Sequence, residues 1–503
     1  MKKLILLLVL LVGVASVARA ADYYINNKTG DDKFTGGAAE VADGGVGPVR
    51  TFKKALSLLK PGDTLHVADT GTVYRQSVNL RHGGKPGQPI TIDGHGAWLT
   101  GADKLDPAGW KPYRDGVLVR DDQPVKQPTY GVVVDDVMLN QVRDMDVIAP
   151  GQVSVLVSRG KVALYGNPPQ GKSLGKVKVE VTYEDGTTET LEPKTWHHSH
   201  SRIKTVRRYR YIKGRPVKVT MDGQDAAIVT APQNLAPGEW TRRGTSLYYR
   251  PPEGKTVDQV NFYAINRSSG VALSGRFAHV VVKNFNTVWF SNDGYNIHGG
   301  VTDATFINCN AFHTFDEGFS SHDRCETVLD GAILVDSSHS IANVNTHGHS
   351  VTRNVVFARA RLAGILLPQN PQAWHTVENA ILIDNPSQVA IRPRKPDSAG
   401  KLTLKNLLVI GTEGGRAGTG LNPGQGTVSD VTIAGCGRAM WAGPHDKATL
   451  TNLLIGPGQG TLHVRQDDPA AALSMKNVLV GTGIKLEYGA RYPWKTLPVA
   501  EWF

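Results

Sequence analysis

HVVVKNFNTVWFSNDGYNIHGGVTDATFINCNAFHTFDEGFSSHDRCETVLDGAIL, residues 279–334, sets one short phrase three times: an apolar residue, any residue, then Asn or Asp, then more apolar residues. The phrase continues almost to the C-terminus, with anchors at Asn284, Asn308, Asp330, Asn354, Asn379, Asn406, Asp430, Asn452 and Asn477, spaced 22 to 27 residues apart. A fixed period of this size marks a solenoid, in which each repeat buries its apolar face only by stacking on its neighbours.

The segments around the anchors, such as TFINCNAF, TVENAILI and LTLKNLLVI, are short runs of Val, Ile, Leu and Thr bounded by Gly, Pro, Asn and Ser. They read as strands, because a helical repeat would carry an i, i+3, i+4 apolar face through most of its length. The predicted fold is all-β, a right-handed parallel β-helix. At one strand spacing of about 4.8 Å per coil, nine anchors span on the order of 40 Å. Stacked Asn side chains are expected to form a hydrogen-bonded ladder.

Working outward, Lys2 and Lys3, the apolar run Leu4 to Val14 and Ala18-Arg19-Ala20 read as a cleaved secretory signal over 1–20, so the product is expected to be secreted or periplasmic. No second apolar stretch suggests a membrane span. Residues 21–115 form an N-terminal cap and first coil. Within them GPVRTFKKALSLLKPGD carries a short helix with Phe52, Ala55, Leu56 and Leu59 on one face, placed to cover the open end of the solenoid. The period is lost over 116–258, a β-rich insertion, and resumes over 259–488. A tail over 489–503 with Trp494, Trp502 and Phe503 is expected to close the far end. Three cysteines, Cys309, Cys325 and Cys436, fall at different offsets from their anchors and are expected as buried free thiols.

The formal charge is +11, of which Lys2, Lys3 and Arg19 belong to the signal. Between Lys194 and Lys218 lie nine Lys or Arg and no acid, which suits an anionic polysaccharide or surface; in an exported protein nucleic acid is not the expected partner. A solvated, charge-rich hairpin accounts for the same stretch. The chain is expected to act as a monomer.

Register places side chains in columns. Counted from the anchors, Tyr295, Phe319, Ile341 and Ile365 share one offset and point inward, so the positions one and three residues later point outward. His298 and His322 then stack on the surface, with Asn296 and Ser320 beside them. Just before the turn into these strands, Asp293, Glu317 and His339 share another column, with Asp316 adjacent. Asp323 belongs to the same constellation, His347 and His349 are further candidates one coil on, and Arg392 and Arg394 add a basic edge farther along. So many titratable groups together are poorly explained by structure alone, although Asp before Gly is common in turns and a strand His is often surface. Trp289, Trp374 and Trp441 are candidates for stacking on sugars or for packing at coil ends.

Three stretches resemble β-helix enzymes that act on polysaccharides. YYINN…GPVRTFKKALSLLKPGDTLHV…GGKPGQPITIDG is similar to the opening of family 9 pectate lyases. NDGYNIHG followed one coil later by FDEGFSSH resembles that family's calcium site, which implies Asp293, Asp316 and Glu317 as calcium ligands; Ser320 stands where the family's last Asp would be. LAPGEWTRRGTSLYYRPPEG resembles a segment of β-helix glycoside hydrolases of the fucosidase and xylanase type. The lyase family's Lys base has no counterpart, because no Lys occurs between Lys283 and Lys395.

Three functions follow as expectations. A lyase would cleave an acidic, uronate-containing polysaccharide by β-elimination, with His322 or His298 as base. A glycoside hydrolase would use a carboxylate pair from Asp293, Asp316, Glu317 and Asp323. A glycan-binding protein would use the same face without chemistry. In all three, Asn296, Ser320, Asp323, His339, Arg392 and Arg394 are candidate substrate contacts.

Overall fold

The computed structural model describes residues 20–121, 131–143, 146–158, 161–192, 197–200, 206–393, 401–412, 415, 417–443, 446–456, 461–463, 472–481, 485–487 and 495–497. It is a parallel β-helix. One sheet runs its full length through Asp22–Ile25, Thr64–Val67, Ile90–Asp93, Ala278–Lys283, Thr302–Ile307, Thr327–Val335 and six further strands to Lys495–Leu497. A second parallel sheet, which carries the candidate site, stacks Val78–Leu80, Val271–Gly275, Tyr295–Gly299, Glu317–Asp323, His339–Asn345, Ala363–Gln369, Ser387–Pro393, Thr419–Leu421 and Arg438–Met440.

The anchors owe their identity to backbone conformation. Asn284, Asn308, Asn354, Asn379, Asn406, Asp430, Asn452 and Asn477 all have φ between 52° and 59°. That left-handed region penalises most residues, and Asn tolerates it better. In the third coil the turn residue is Gly331 (φ 76°), one position later than the Asp330 anchor. A second left-handed column follows five residues after the first, at Trp289, His313, Asp336, Arg359 and Asp384. The expected ladder is present: Asn308 Nδ2 donates to Asn284 Oδ1 (3.2 Å), Asn379 Nδ2 to Asn354 Oδ1 (3.1 Å) and Asn406 Nδ2 to Asn379 Oδ1 (2.9 Å). It starts one coil earlier than the repeat, because Asn284 Nδ2 donates to Asp93 Oδ1 at 2.9 Å.

One continuous core fills the bore. Val78, Val271, Tyr295, Phe319, Ile341, Ile365, Val389, Leu421 and Met440 stack in register along its axis and are at most 1% exposed. Burying each such side chain is worth about 1.5–3 kcal/mol, so the column fixes the register against a one-residue slip that would turn it to solvent. The cap helix spans Phe52–Leu58, with the Thr51 side chain accepting from Lys54 N–H and Phe52, Ala55 and Leu56 buried. All three cysteines are buried and free.

Between the first coil and the resumed solenoid the strands pair mostly antiparallel, with Gln152–Ser158 parallel to Ala227–Ile228, and hold clusters of their own around Leu164 and Val179 and around Trp240 and Phe262. Part of the basic stretch lies on the strand Val206–Ile212, which pairs with Lys161–Asn167 and His197–His200. Three of the stretch's described cations face carboxylates: Arg210 lies 3.9 Å from Glu189, Lys213 3.4 Å from Asp185 and Lys218 2.8 Å from Asp225. Residues 1–19, together with Lys194, Arg202, Lys204, Trp494, Trp502 and Phe503, lie outside the described residues. No helix among those described is long and apolar enough to cross a membrane.

Candidate active site

Consecutive coils bring Asp293, Glu317 and His339 to the same edge of the second sheet, where Glu317 and His339 are register partners. Gly294 N–H donates to Glu317 O (3.0 Å), tying the first two coils together. The glycines after the two acids are there for close approach. A Cβ on Gly294 would stand 2.7 Å from Gly318 O, and one on Gly318 would stand 2.8 Å from Ser340 O.

Asp293 is 1% exposed. Its Oδ1 accepts from Glu317 N–H (3.0 Å) and its Oδ2 from the Ser320 hydroxyl (2.6 Å). Ser320 is fully buried, so this outward position braces Asp293 and does not present its hydroxyl to a substrate. Burial, then the charge of Glu317, pushes the Asp293 carboxyl well above the usual carboxylate range. Burial and the adjacent Asp316 charge raise Glu317 to about 7. Crowded carboxyls of like charge cannot all ionise cheaply, so the cluster holds a proton at neutral pH. His339 Nδ1 lies 3.1 Å from Glu317 Oε1.

Asp316 sits in a loop clamped from both sides, its N–H on Asn292 O (2.9 Å) and its carbonyl accepting from Ser338 N–H (2.6 Å). Arg361 reaches under this loop, donating to Phe315 O and Thr314 O and stacking its guanidinium over the Phe315 ring. The sequence reading missed Arg361. Its place two residues after the left-handed Arg359, where the chain leaves the sheet, is the signal that points to it.

Farther along the strand, the rings of His298 and His322 stack as expected, with centroids 4.2 Å apart. Burial, then the neighbouring His298, lowers His322 to about 4. The Asp323 carboxylate accepts from Gly299 N–H (3.0 Å) and lies 3.7 Å from His298 Nδ1. Asn296 faces outward in register with Ser320. His349 stands apart from the cluster, stacked on Trp374 at 5.1 Å with Glu326 3.8 Å away. Trp374 is covered on that side by His349 and also carries Lys401 over its ring at 4.4 Å, while Trp289 packs on Tyr263. His347 Nδ1 lies 3.4 Å from its neighbour Thr346 Oγ1. The side chain of Arg392 and all of Arg394 lie outside the described residues.

The donor atoms of Asp316, Glu317 and His339 lie within 4.8 Å of one another. This trio has His339 where the calcium expectation had Asp293, whose oxygens accept from Glu317 N–H and Ser320 O–H. Calcium takes six to eight oxygens, whereas an imidazole beside two carboxylates suits a transition ion better.

Fold and site together define a parallel β-helix protein with a carboxyl and imidazole cluster on one sheet face. Two solved structures follow a related path. One, described as "Glycoside hydrolase", is 12% identical over 91% of this chain and 96% of its own, with a TM-score of 0.48. The other, "The complex structure of XylC with xylose", is 12% identical over 93% of this chain and 70% of its own, with a TM-score of 0.47. At that identity neither likeness assigns an activity to this chain. No family model and no curated protein matches it.

Proposed function

We propose that the protein is a glycoside hydrolase in which Glu317 is the general acid and Asp316 the second carboxylate. The observation that carries this reading is a carboxyl raised to about 7 with another carboxylate oxygen within 4.8 Å. A general acid must be protonated at the working pH, and burial beside a like charge is the usual way to keep a carboxyl so. Glu317 donates its proton to the glycosidic oxygen as the bond to the anomeric carbon breaks. Asp316 attacks that carbon, and water activated by the ionised Glu317 then releases the sugar and returns the proton. The pair is too close for the about 6.5–9.5 Å of inverting enzymes, which leaves the double displacement of retaining ones, whose carboxyls stand about 5–5.5 Å apart in action. Asp293, almost wholly buried, holds the Glu317 backbone and does not touch substrate.

A uronate lyase is the second reading, favoured by an imidazole at His322 that stays neutral at pH 7 and by a donor trio able to hold a cation. A base whose conjugate acid has a pKa of about 4 is weak for removing a carbon-bound proton, which ranks this reading below hydrolysis. The test is incubation of the mature chain with neutral, uronate and sulfated polysaccharides, with and without calcium, following reducing ends and ultraviolet absorbance together. Reducing ends alone support the hydrolase. A parallel rise in absorbance marks an unsaturated product and overturns it in favour of the lyase. Binding without either signal leaves a glycan-binding protein.

A further inference from the structure

A cleft of about 370 Å³ opens on the same sheet face, on the N-terminal side of the acid cluster. Its floor follows from register. The outward column Asn79, Ala272 and Asn296 crosses three coils, and the methyl of Ala272 between two amides leaves the floor recessed. Beside it Ser274 is the register partner of His298. One wall comes from Ser77 and from the loop Arg267, Ser268 and Ser269 that leads into the second of these strands.

We propose that this cleft is a subsite for one uncharged sugar ring of the substrate on which Glu317 acts; the assignment rests on the hydrolase reading. Serine hydroxyls and asparagine amides both donate and accept, which is what vicinal ring hydroxyls require. Among the described residues no carboxylate lines the cleft. The one permanent cation among its described lining residues, Arg267, is already engaged, with Nη1 3.0 Å from Asp103 Oδ1 and 3.4 Å from Gly101 O. A sugar carboxylate would have to compete with Asp103 for that guanidinium, whereas a neutral ring needs only the hydroxyls and amides. The volume lies near the lower end of the roughly 300–1,000 Å³ found for small-molecule sites, which suits a single ring.

Position joins the cleft to the acids. Asn296 pairs with Ser320, and the Ser320 hydroxyl binds Asp293, which in turn holds Glu317 N–H. On the other side of the cluster the same outward column continues as Ala342 and Leu366, with no hydrogen-bonding side chain. Along this column the described hydrogen-bonding side chains therefore lie on the N-terminal side.

The experiment uses the Glu317→Gln chain, in which turnover is suppressed, and saturation-transfer NMR with the methyl glycosides of xylose, galactose, fucose and glucuronic acid. At least one neutral glycoside should bind and methyl glucuronide should not be the tightest. Ala272→Leu, an outward change that fills the floor, should abolish binding with an unchanged circular dichroism spectrum. Asn79→Ala should weaken it roughly three- to tenfold, the loss of one neutral hydrogen bond. Tightest binding of the glucuronide, binding untouched by Ala272→Leu, or no binding of any probe overturns the subsite. Sugar binding that Ala272→Leu removes, in a chain whose wild type releases no reducing ends, discards the hydrolase and keeps the subsite. Hydrolysis by the wild type with binding indifferent to Ala272→Leu does the reverse.

Discussion

His322 lies flat on His298, with ring planes 4° from parallel. Parallel pairing of adjacent coils forces the contact, because equal register positions stand one strand spacing apart. Two stacked imidazoles cannot both carry charge cheaply, so the contact adds to burial in holding His322 at about 4. Replacing His298 by Ala should raise the His322 pKa toward its ordinary 6.5. An NMR titration of the ring protons reads this directly, and a value still near 4 would assign the whole shift to burial.

Glu317→Gln should lower kcat by about 10²- to 10⁴-fold, the usual contribution of a general acid, with KM little changed. Asp316→Asn should be as severe if it is the second carboxylate. Full turnover by both variants on any substrate the wild type cleaves would remove the proposed site.

The pH profile follows from the same pair. Glu317 is competent as an acid while protonated, so kcat/KM should fall as pH rises through about 7. Asp316 is the nearest like charge raising that value. In Asp316→Asn the Glu317 pKa should therefore drop toward 4.5, which carbon-detected NMR of the carboxyl would show whether or not residual turnover is measurable.

A buried histidine in the bore makes the fold sensitive to acid. His375 is 2% exposed, its Nδ1 is 2.8 Å from Ser350 Oγ, and that hydroxyl accepts from Asn343 Nδ2 at 2.9 Å. Burial lowers its pKa to about 4 from 6.5. Because the folded value is depressed, the neutral form favours folding fully above about 6.5, and that contribution is lost as pH falls through about 4. The loss should be on the order of 3 kcal/mol. Urea unfolding at pH 7 and pH 4 measures it, and His375→Gln should flatten the difference.

The ladder separates backbone preference from hydrogen bonding. Asn379 (φ 54°) donates to Asn354 and accepts from Asn406. Asn379→Ala loses both contacts and places a methyl-bearing residue in the left-handed region, at a cost of about 2–3 kcal/mol. Asn379→Gly keeps the conformation and should cost less. Equal unfolding midpoints for the two variants would mean the conformation carries no energy.

The sequence by itself determined the period, the inward column from Tyr295 to Ile365, the stacking of His298 on His322 and the column of Asp293, Glu317 and His339. Those are consequences of a repeat whose turn residue is locally preferred and whose strands pair in parallel, so counting from the anchors is counting in space. Tertiary structure alone decided how each acid is buried. Asp293 and Asp316 look alike in sequence, but one is sealed under Ser320 and the other lies in a loop braced by Arg361. It also decided that Arg267 is spent on Asp103, 164 residues away, and that the basic strand of the insertion meets Glu189 and Asp185. Desolvation and charge pairing depend on contacts between distant segments, and no local pattern encodes them.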